Sequence, residues 1–273
     1  MSNKIIVVKI GGSTLGNHDT TLEDLVELQK QGEYLVVVHG GGQMTSEWLA
    51  QLGISTGFIN GLRVTDAETM KVVTAILGGL INKELVVAIQ ALGGKAIGLT
   101  GSDGNLLWAT IKSPELGYVG EIVTVDPAPL KVLLAANYIP VVAPISSGSV
   151  KGRMTLLNIN GDAAAGEIAA ALAAEKLIFL TDVDGVHDSS GKAISQLNLA
   201  GAKNLVSSGI ASGGMIPKIE ASITALATVP IVRIIDGRTP HALLNVIAVS
   251  EIPRLGSEQA SQSQFGGTSI VPE

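Results

Sequence analysis

The sequence predicts an α/β fold with a mostly parallel sheet, and three observations lead there. Short runs rich in Val, Ile and Leu recur along the 273 residues. Segments of helical periodicity separate them, the alternation that right-handed βαβ crossovers produce. Hydrophobic residues make up 46 % of the chain but aromatic ones only 3 %. The core is therefore aliphatic, as in a sheet covered on both faces by helices.

Taken in order, strands are expected where branched apolar residues cluster: IIVVKI at 5–10, YLVVVH at 34–39, KAIGLT at 95–100, IPVVA at 139–143, LIFLT at 177–181 and IVRII at 231–235. The intervening patterns predict helices over 21–31, 43–52, 67–92, 129–136, 163–175, 199–207, 217–227 and 242–248. A Ser- and Gln-rich stretch, 256–267, reads as an exposed loop before a last short strand at 268–271. The motif content changes near residue 170, which suggests two lobes of one continuous fold, 1–170 and 171–273, with no linker between them.

Composition narrows the function. Cysteine is absent, which removes disulfides, thiol chemistry and zinc–thiolate sites. The net charge is −6 with scattered Lys and Arg, not the basic stripe an extended nucleic-acid surface needs. No uninterrupted apolar run approaches the ~18 residues of a membrane span. The apolar run at 5–8 is too short for a signal peptide, so a cytoplasmic enzyme is expected.

Three glycine-bounded segments carry the chemistry. Lys9 ends a strand and is followed by Gly11 and Gly12. His39-Gly40-Gly41-Gly42 ends another strand and opens a helix. Gly213-Gly214-Met215-Ile216-Pro217-Lys218 leads into a third helix, with Pro217 expected at its first position. Bare backbone amides at helix starts, with lysines beside them, suit a multiply charged phosphate. Each segment has a plainer reading as well: a solvated lysine, a tight turn, a helix start. His39 reads as a buried strand-end histidine without a chemical role. Arg63, in Asn60-Gly61-Leu62-Arg63-Val64-Thr65, offers a fork that fits a carboxylate or is a surface arginine. Asp162, in Asn158-Ile159-Asn160-Gly161-Asp162, is either a helix cap or a carboxylate that orients two lysines. Thr181-Asp182-Val183-Asp184-Gly185 lacks EF-hand spacing and reads as a nucleotide-contacting loop or an ordinary acidic turn. Neither GxGxxG nor GxxxxGK[ST] occurs, which disfavours a Rossmann dehydrogenase and a P-loop enzyme.

Together these segments resemble the amino-acid kinase family, in its acetylglutamate-kinase branch. The discriminating stretches are NGLRVTDAE at 60–68, GLTGSDGNL at 98–106, NINGD at 158–162 and GGMIPK at 213–218. The resemblance implies a three-layer αβα sandwich and ATP-dependent phosphorylation of the side-chain carboxylate of N-acetyl-L-glutamate, in arginine biosynthesis. It implies that Lys9 and Lys218 stabilise the transferring phosphoryl group and that Asp162 organises them. It places Gly11, Gly12 and Gly41 on phosphate, Gly41, Gly42, Arg63 and Asn158 on the amino-acid substrate, and Thr181, Asp182, Val183, Asp184, Gly185, Gly214 and Met215 on the nucleotide. Mg²⁺ arrives with ATP, and the long helix at 67–92 helps form a homodimer. Gly161 stands where alanine is usual in the family, with little effect expected. A sister kinase acting on another acid, and a non-catalytic ligand-binding protein on the same fold, are the alternatives.

Overall fold

The computed structural model describes residues 4–11, 20–248 and 266–273. Gly12 and residues 256–265 of the expected loop lie outside those described. In chain order the principal elements are β1 (Ile5–Ile10), α1 (Thr21–Lys30), β2 (Tyr34–His39), α2 (Gly42–Gln51), α3 (Ala67–Ala91), β3 (Ala96–Thr100), β4 (Leu107–Ile111), β5 (Gly120–Val125), α4 (Ala128–Ala135), β6 (Ile139–Ala143), β7 (Ile145–Val150), β8 (Arg153–Asn158), α5 (Gly161–Leu172), β9 (Lys176–Thr181), β10 (Gln196–Asn198), α6 (Leu199–Ser207), α7 (Met215–Ala225), β11 (Val232–Asp236), α8 (Ala242–Ala248) and β12 (Thr268–Val271).

Eight strands form the main sheet in the order β10-β12-β11-β9-β1-β2-β6-β3. All neighbouring pairs are parallel except β11 with β12. Alternation along each strand divides the core into two faces. Val7, Val36, Val38, Phe179 and Ile234 pack with Ala164, Ile168 and Ile219 of α5 and α7. Their neighbours Ile6, Val8, Ile10, Leu35, Val37 and Ile178 pack with Leu25 and Leu28 of α1 and with Val73, Ile76 and Ile89 of α3. The three-layer sandwich is therefore present, and each expected strand lies within a residue of its observed position, while β10 was not expected.

A second sheet, in the order β8-β7-β4-β5, is absent from the sequence-based expectation. Strand β7 reads Ile-Ser-Ser-Gly-Ser-Val, a poor pattern by propensity. Its pairing with β8 and β4 makes it a strand.

Two further expectations are corrected. Helix α5 runs over Gly161–Leu172 and ends where Ala173 turns left-handed (φ 46°), short of residue 175. Helix α7 starts at Met215, so Pro217 is its third residue rather than its first. Proline costs little there, because the first turn's N–H groups have no intrahelical acceptor. Finally, among the described residues one helix, Ala67–Ala91, is long and apolar enough to cross a membrane by length and composition alone. It is a core helix: Met70, Val73, Ile76, Leu77, Ile81, Leu85 and Ile89 are buried. Residues Thr74–Ile81 in its middle form a π-helical stretch.

Candidate active site

The parallel strands β1, β2, β9 and β11 all end on one edge of the sheet, where open α/β sheets place their sites. Lys9 lies on the α5 side of β1, next to last in the strand and only 7 % exposed. Its ammonium is 2.7 Å from Asp162 Oδ1, at an angle outside hydrogen-bond geometry, so that Oδ1 has no hydrogen-bond donor among the described residues. Lys218 Nζ donates to the other oxygen, Oδ2, at 3.3 Å.

Local sequence explains why Asp162 is available. Asn160, not Asp162, caps α5: its Oδ1 accepts from the amides of Asp162 at 2.9 Å and Ala163 at 3.0 Å. Asp162 thus sits in the first turn, where the helix dipole favours an anion. Helices α5 and α7 also approach closely. A Cβ on Gly166 would stand 2.6 Å from the carbonyl oxygen of Ala221. Gly166 is one turn beyond Asp162 and Ala221 nearly one turn beyond Lys218, so the bare glycine brings the ion pair within reach. Two ammonium groups face one buried carboxylate, leaving one positive charge in excess.

Beside this trio lies a cleft of ≈ 180 Å³ whose lining includes Gly41, Gly42, Arg63, Asn158 and Gly161. The four residues expected on the amino-acid substrate therefore share one cavity. Gly161 connects the two places, since a Cβ there would sit 3.6 Å from Lys9 Cε. Arg63 is buried. Its Nη2 donates to Gly42 O at 2.8 Å and Ser46 Oγ at 2.6 Å, while Nη1 has no partner among the described residues. Burial lowers its pKa from the ordinary value, but a guanidinium keeps its charge at neutral pH. A buried, half-satisfied guanidinium is the group a ligand carboxylate would complete. Asn158 Nδ2 donates to Thr65 Oγ1 at 3.1 Å, and that hydroxyl donates to Arg63 O at 2.7 Å, which ties the two residues together.

Gly41 needs to be glycine twice over. Its φ is +152°, and a Cβ would run into Ile81 and Leu77 of α3. It precedes α2, and Gly41 and Gly42 both line the cleft where that helix begins. Gly11 continues from β1 and donates to Leu180 O at 3.3 Å.

The residues expected on the nucleotide lie elsewhere on the same edge and do not line the cleft. Thr181 ends β9, and its carbonyl accepts from Gly237 at 2.8 Å. Asp182 and Asp184 are exposed, and Asp184 pairs with His187 at 3.0 Å. Gly185 takes φ +138°, and a Cβ would meet Thr268. Gly214 and Met215 begin the helix that carries Lys218.

The sequence reading missed the supports. Phe58 stacks under the Arg63 guanidinium, 4.7 Å from ring centre to Cζ, in a hairpin of Phe58–Ile59 with Leu62–Arg63. The signal was present: Asn60-Gly61 between two apolar pairs is a strong two-residue hairpin turn, and both residues have positive φ. Asn82, Ser46 and Thr65 carried no signal of their own.

The chain belongs to the amino acid kinase family, whose model matches residues 4–236. Within it, a protein from Dehalococcoides mccartyi named acetylglutamate kinase is 46 % identical over 246 residues, covering 89 % of this chain and 90 % of that protein. One of the same name from Cereibacter sphaeroides is 45 % identical, with 90 % and 85 % covered. Among solved structures, smu.665 from Streptococcus mutans superposes with a TM-score of 0.77 at 32 % identity, over 85 % of this chain and 94 % of that one. A carbamate kinase from Giardia, at 14 % identity and a TM-score of 0.67 over 100 % of each chain, shares the fold.

Proposed function

We propose that the protein transfers the γ-phosphoryl group of ATP to the side-chain carboxylate of N-acetyl-L-glutamate, a step of arginine biosynthesis. The observation that carries this is the Lys9–Asp162–Lys218 trio, with its uncompensated positive charge beside a carboxylate-accepting cleft. The relatives named acetylglutamate kinase supply the substrate.

The reaction asks little of the protein in proton transfer. A substrate carboxylate oxygen attacks the γ-phosphorus, the new O–P bond forms, and the bond to the β-phosphate oxygen breaks to release ADP. The nucleophile is already an anion, so no general base is required. The barrier is repulsion between two anions, and catalysis is positioning plus charge stabilisation. Lys9 and Lys218 face the transferring group from opposite sides of Asp162. The carboxylate holds both ammoniums in place, so little reorganisation is needed as charge develops. Arg63 grips the substrate's other carboxylate through its unpaired Nη1. Asn158 orients the substrate, Gly11 and Gly12 let the backbone approach the phosphates, and the Gly41 amide meets them. Thr181 to Gly185, with Gly214 and Met215, form the nucleotide side.

Mg²⁺ supplies further neutralisation of phosphate charge and enters as MgATP. Asp162 already answers two lysines, so its carboxylate is committed to them, and the metal would serve to neutralise phosphate charge. In this proposal residues 1–170 form the substrate lobe and 171–273 the nucleotide lobe. The enzyme works as a cytoplasmic homodimer in which the outer face of α3, with Val87 63 % exposed, meets a second copy. ADP release from MgATP tests the reaction. Release that requires N-acetyl-L-glutamate is the expected result; release with glutamate or α-aminoadipate instead would move the specificity, and none with any acid would overturn the kinase assignment.

A further inference from the structure

Behind the glycine turn lies a buried polar network that the chemistry above does not use. His39 is 0 % exposed and so is Asn82, the first residue after the π-helical stretch of α3. Asn82 Nδ2 lies 2.8 Å from Val141 O, 3.2 Å from His39 Nε2 and 3.4 Å from Leu99 O. Its Oδ1 accepts from Lys83 Nζ at 3.0 Å. Two carbonyls on one side and an ammonium on the other fix the orientation of the amide, so Nδ2 is a donor toward the histidine ring. Nε2 must then accept, which puts the ring proton on Nδ1, where it donates to Gly40 O at 2.8 Å. The ring stays neutral. Its pKa is lowered to about 4, chiefly by burial, with the nearby charges of Lys83 and Lys9 acting in the same sense.

Gly40 is consequently held at both ends, since its N–H donates to Ile10 O at 2.9 Å. In a trans peptide the next N–H points opposite to the C=O. Turning Gly40 O toward the buried ring therefore turns the Gly41 N–H away from it, toward the cleft that Gly40 and Gly41 line.

The π-helical stretch supplies the register. Relative to an α-helix it carries an inserted residue, and one residue rotates the later turns of the helix by about 100°. In the register observed, Leu77 and Ile81 abut the bare Cα of Gly41 while Asn82 meets His39. Room is kept for the amide as well: a Cβ on Gly98 would collide with Asn82 Oδ1 and stand 2.8 Å from Lys83 Nζ.

We infer that Asn82 and His39 are positioning residues which, set in register by the π-helical stretch, aim the Gly41 amide at the bound anion. This deepens the proposed function and rests on it only for the kinetic arm of the test. The structural arm is the ¹⁵N NMR signature of the His39 ring, assigned among the four histidines by its loss in His39→Gln. The expected wild-type signal is a neutral Nδ1–H tautomer that does not titrate between pH 5.5 and 8. Asn82→Leu removes the donor at similar size. It should shift the ring toward Nε2–H and lower kcat at least tenfold in folded enzyme. Asn82→Ser, which keeps one O–H donor, should restore part of both. Gly98→Ala displaces the amide without changing it and should reproduce the Asn82→Leu signature, which keeps the test open if Asn82→Leu does not fold. An unchanged tautomer in either variant, or a changed tautomer with kcat intact, would overturn the inference. If wild-type protein shows the tautomer but no turnover, the kinase reading fails and the network stands.

Discussion

Lys9 and Lys218 have the same charge and share one partner, yet neither duplicates the other. Each reaches a different oxygen of Asp162, so removing one leaves the other paired and the phosphoryl group stabilised from one side only. Losing a charge-stabilising donor of this kind typically costs ~10²–10³ in rate, ~3–4 kcal/mol. Lys9→Ala and Lys218→Ala are expected to lower kcat by about that much with the circular dichroism spectrum unchanged. Turnover at wild-type level in either variant would remove that lysine from the mechanism. In the proposed mechanism Arg63 acts on binding instead. Arg63→Ala should raise KM for acetylglutamate while leaving KM for MgATP near its wild-type value, and the reverse pattern would place Arg63 on the nucleotide.

Helix α5 shows how an element prepares a site. Its cap is Asn160, which frees Asp162, and its first residue is Gly161. A Cβ on Gly161 meets nothing closer than 3.5 Å, at His39 O, an ordinary contact distance. Gly161→Ala should therefore stabilise the protein by ~0.4–1 kcal/mol, through the unfolded chain's lost freedom, and retain activity. A lowered melting temperature would show that the cleft wall cannot accept the methyl group.

Elements also differ in how far the sequence discloses them. Strands β1, β2 and β9 were legible because their alternating branched residues are buried on both faces, and the lysine and glycines at their ends break that pattern. The β8-β7-β4-β5 sheet was not, because serine-rich β7 is a strand by virtue of its partners. The trio at Asp162 was legible as one carboxylate between two lysines, but not which oxygen each ammonium reaches. Whether Asn160 or Asp162 capped α5 depended on backbone geometry near Gly161, and the π-helical register depends on contacts with Gly41 and His39 that are remote in sequence.

At the scale of the whole molecule, α1 and the start of α8, remote in sequence, are clasped together. His241, which precedes α8, pairs through Nδ1 with Asp24 of α1 at 2.7 Å, and its N–H donates to Thr20 Oγ1 at 2.6 Å. The Asp24 partnership raises His241 above 6.5, and burial raises Asp24 above 3.8. A group raised on folding stabilises fully below its unfolded value and loses that contribution as pH rises through the folded one. At neutral pH only His241 is in play. The melting temperature of the wild type should fall relative to His241→Gln as pH rises from 6.5 upward; parallel curves would mean that the pair is energetically silent. Light scattering addresses the assembly. A dimer mass for the wild type, lost in Val87→Glu, is expected if α3 forms the interface, and a wild-type monomer would end that proposal.

Strand order sets a timetable for synthesis. β1 leaves the ribosome early but lies between β2 and β9, so one of its edges waits unpaired until residues 176–181 emerge. β12 comes later still, yet its place is interior, between β10 and β11. Until it arrives, the nascent chain presents two unpaired strand edges flanking an open slot, the kind of surface that recruits other chains. The slot between β10 and β11 therefore stays open to other chains until residues 268–271 have been made, long after the lysine of β1.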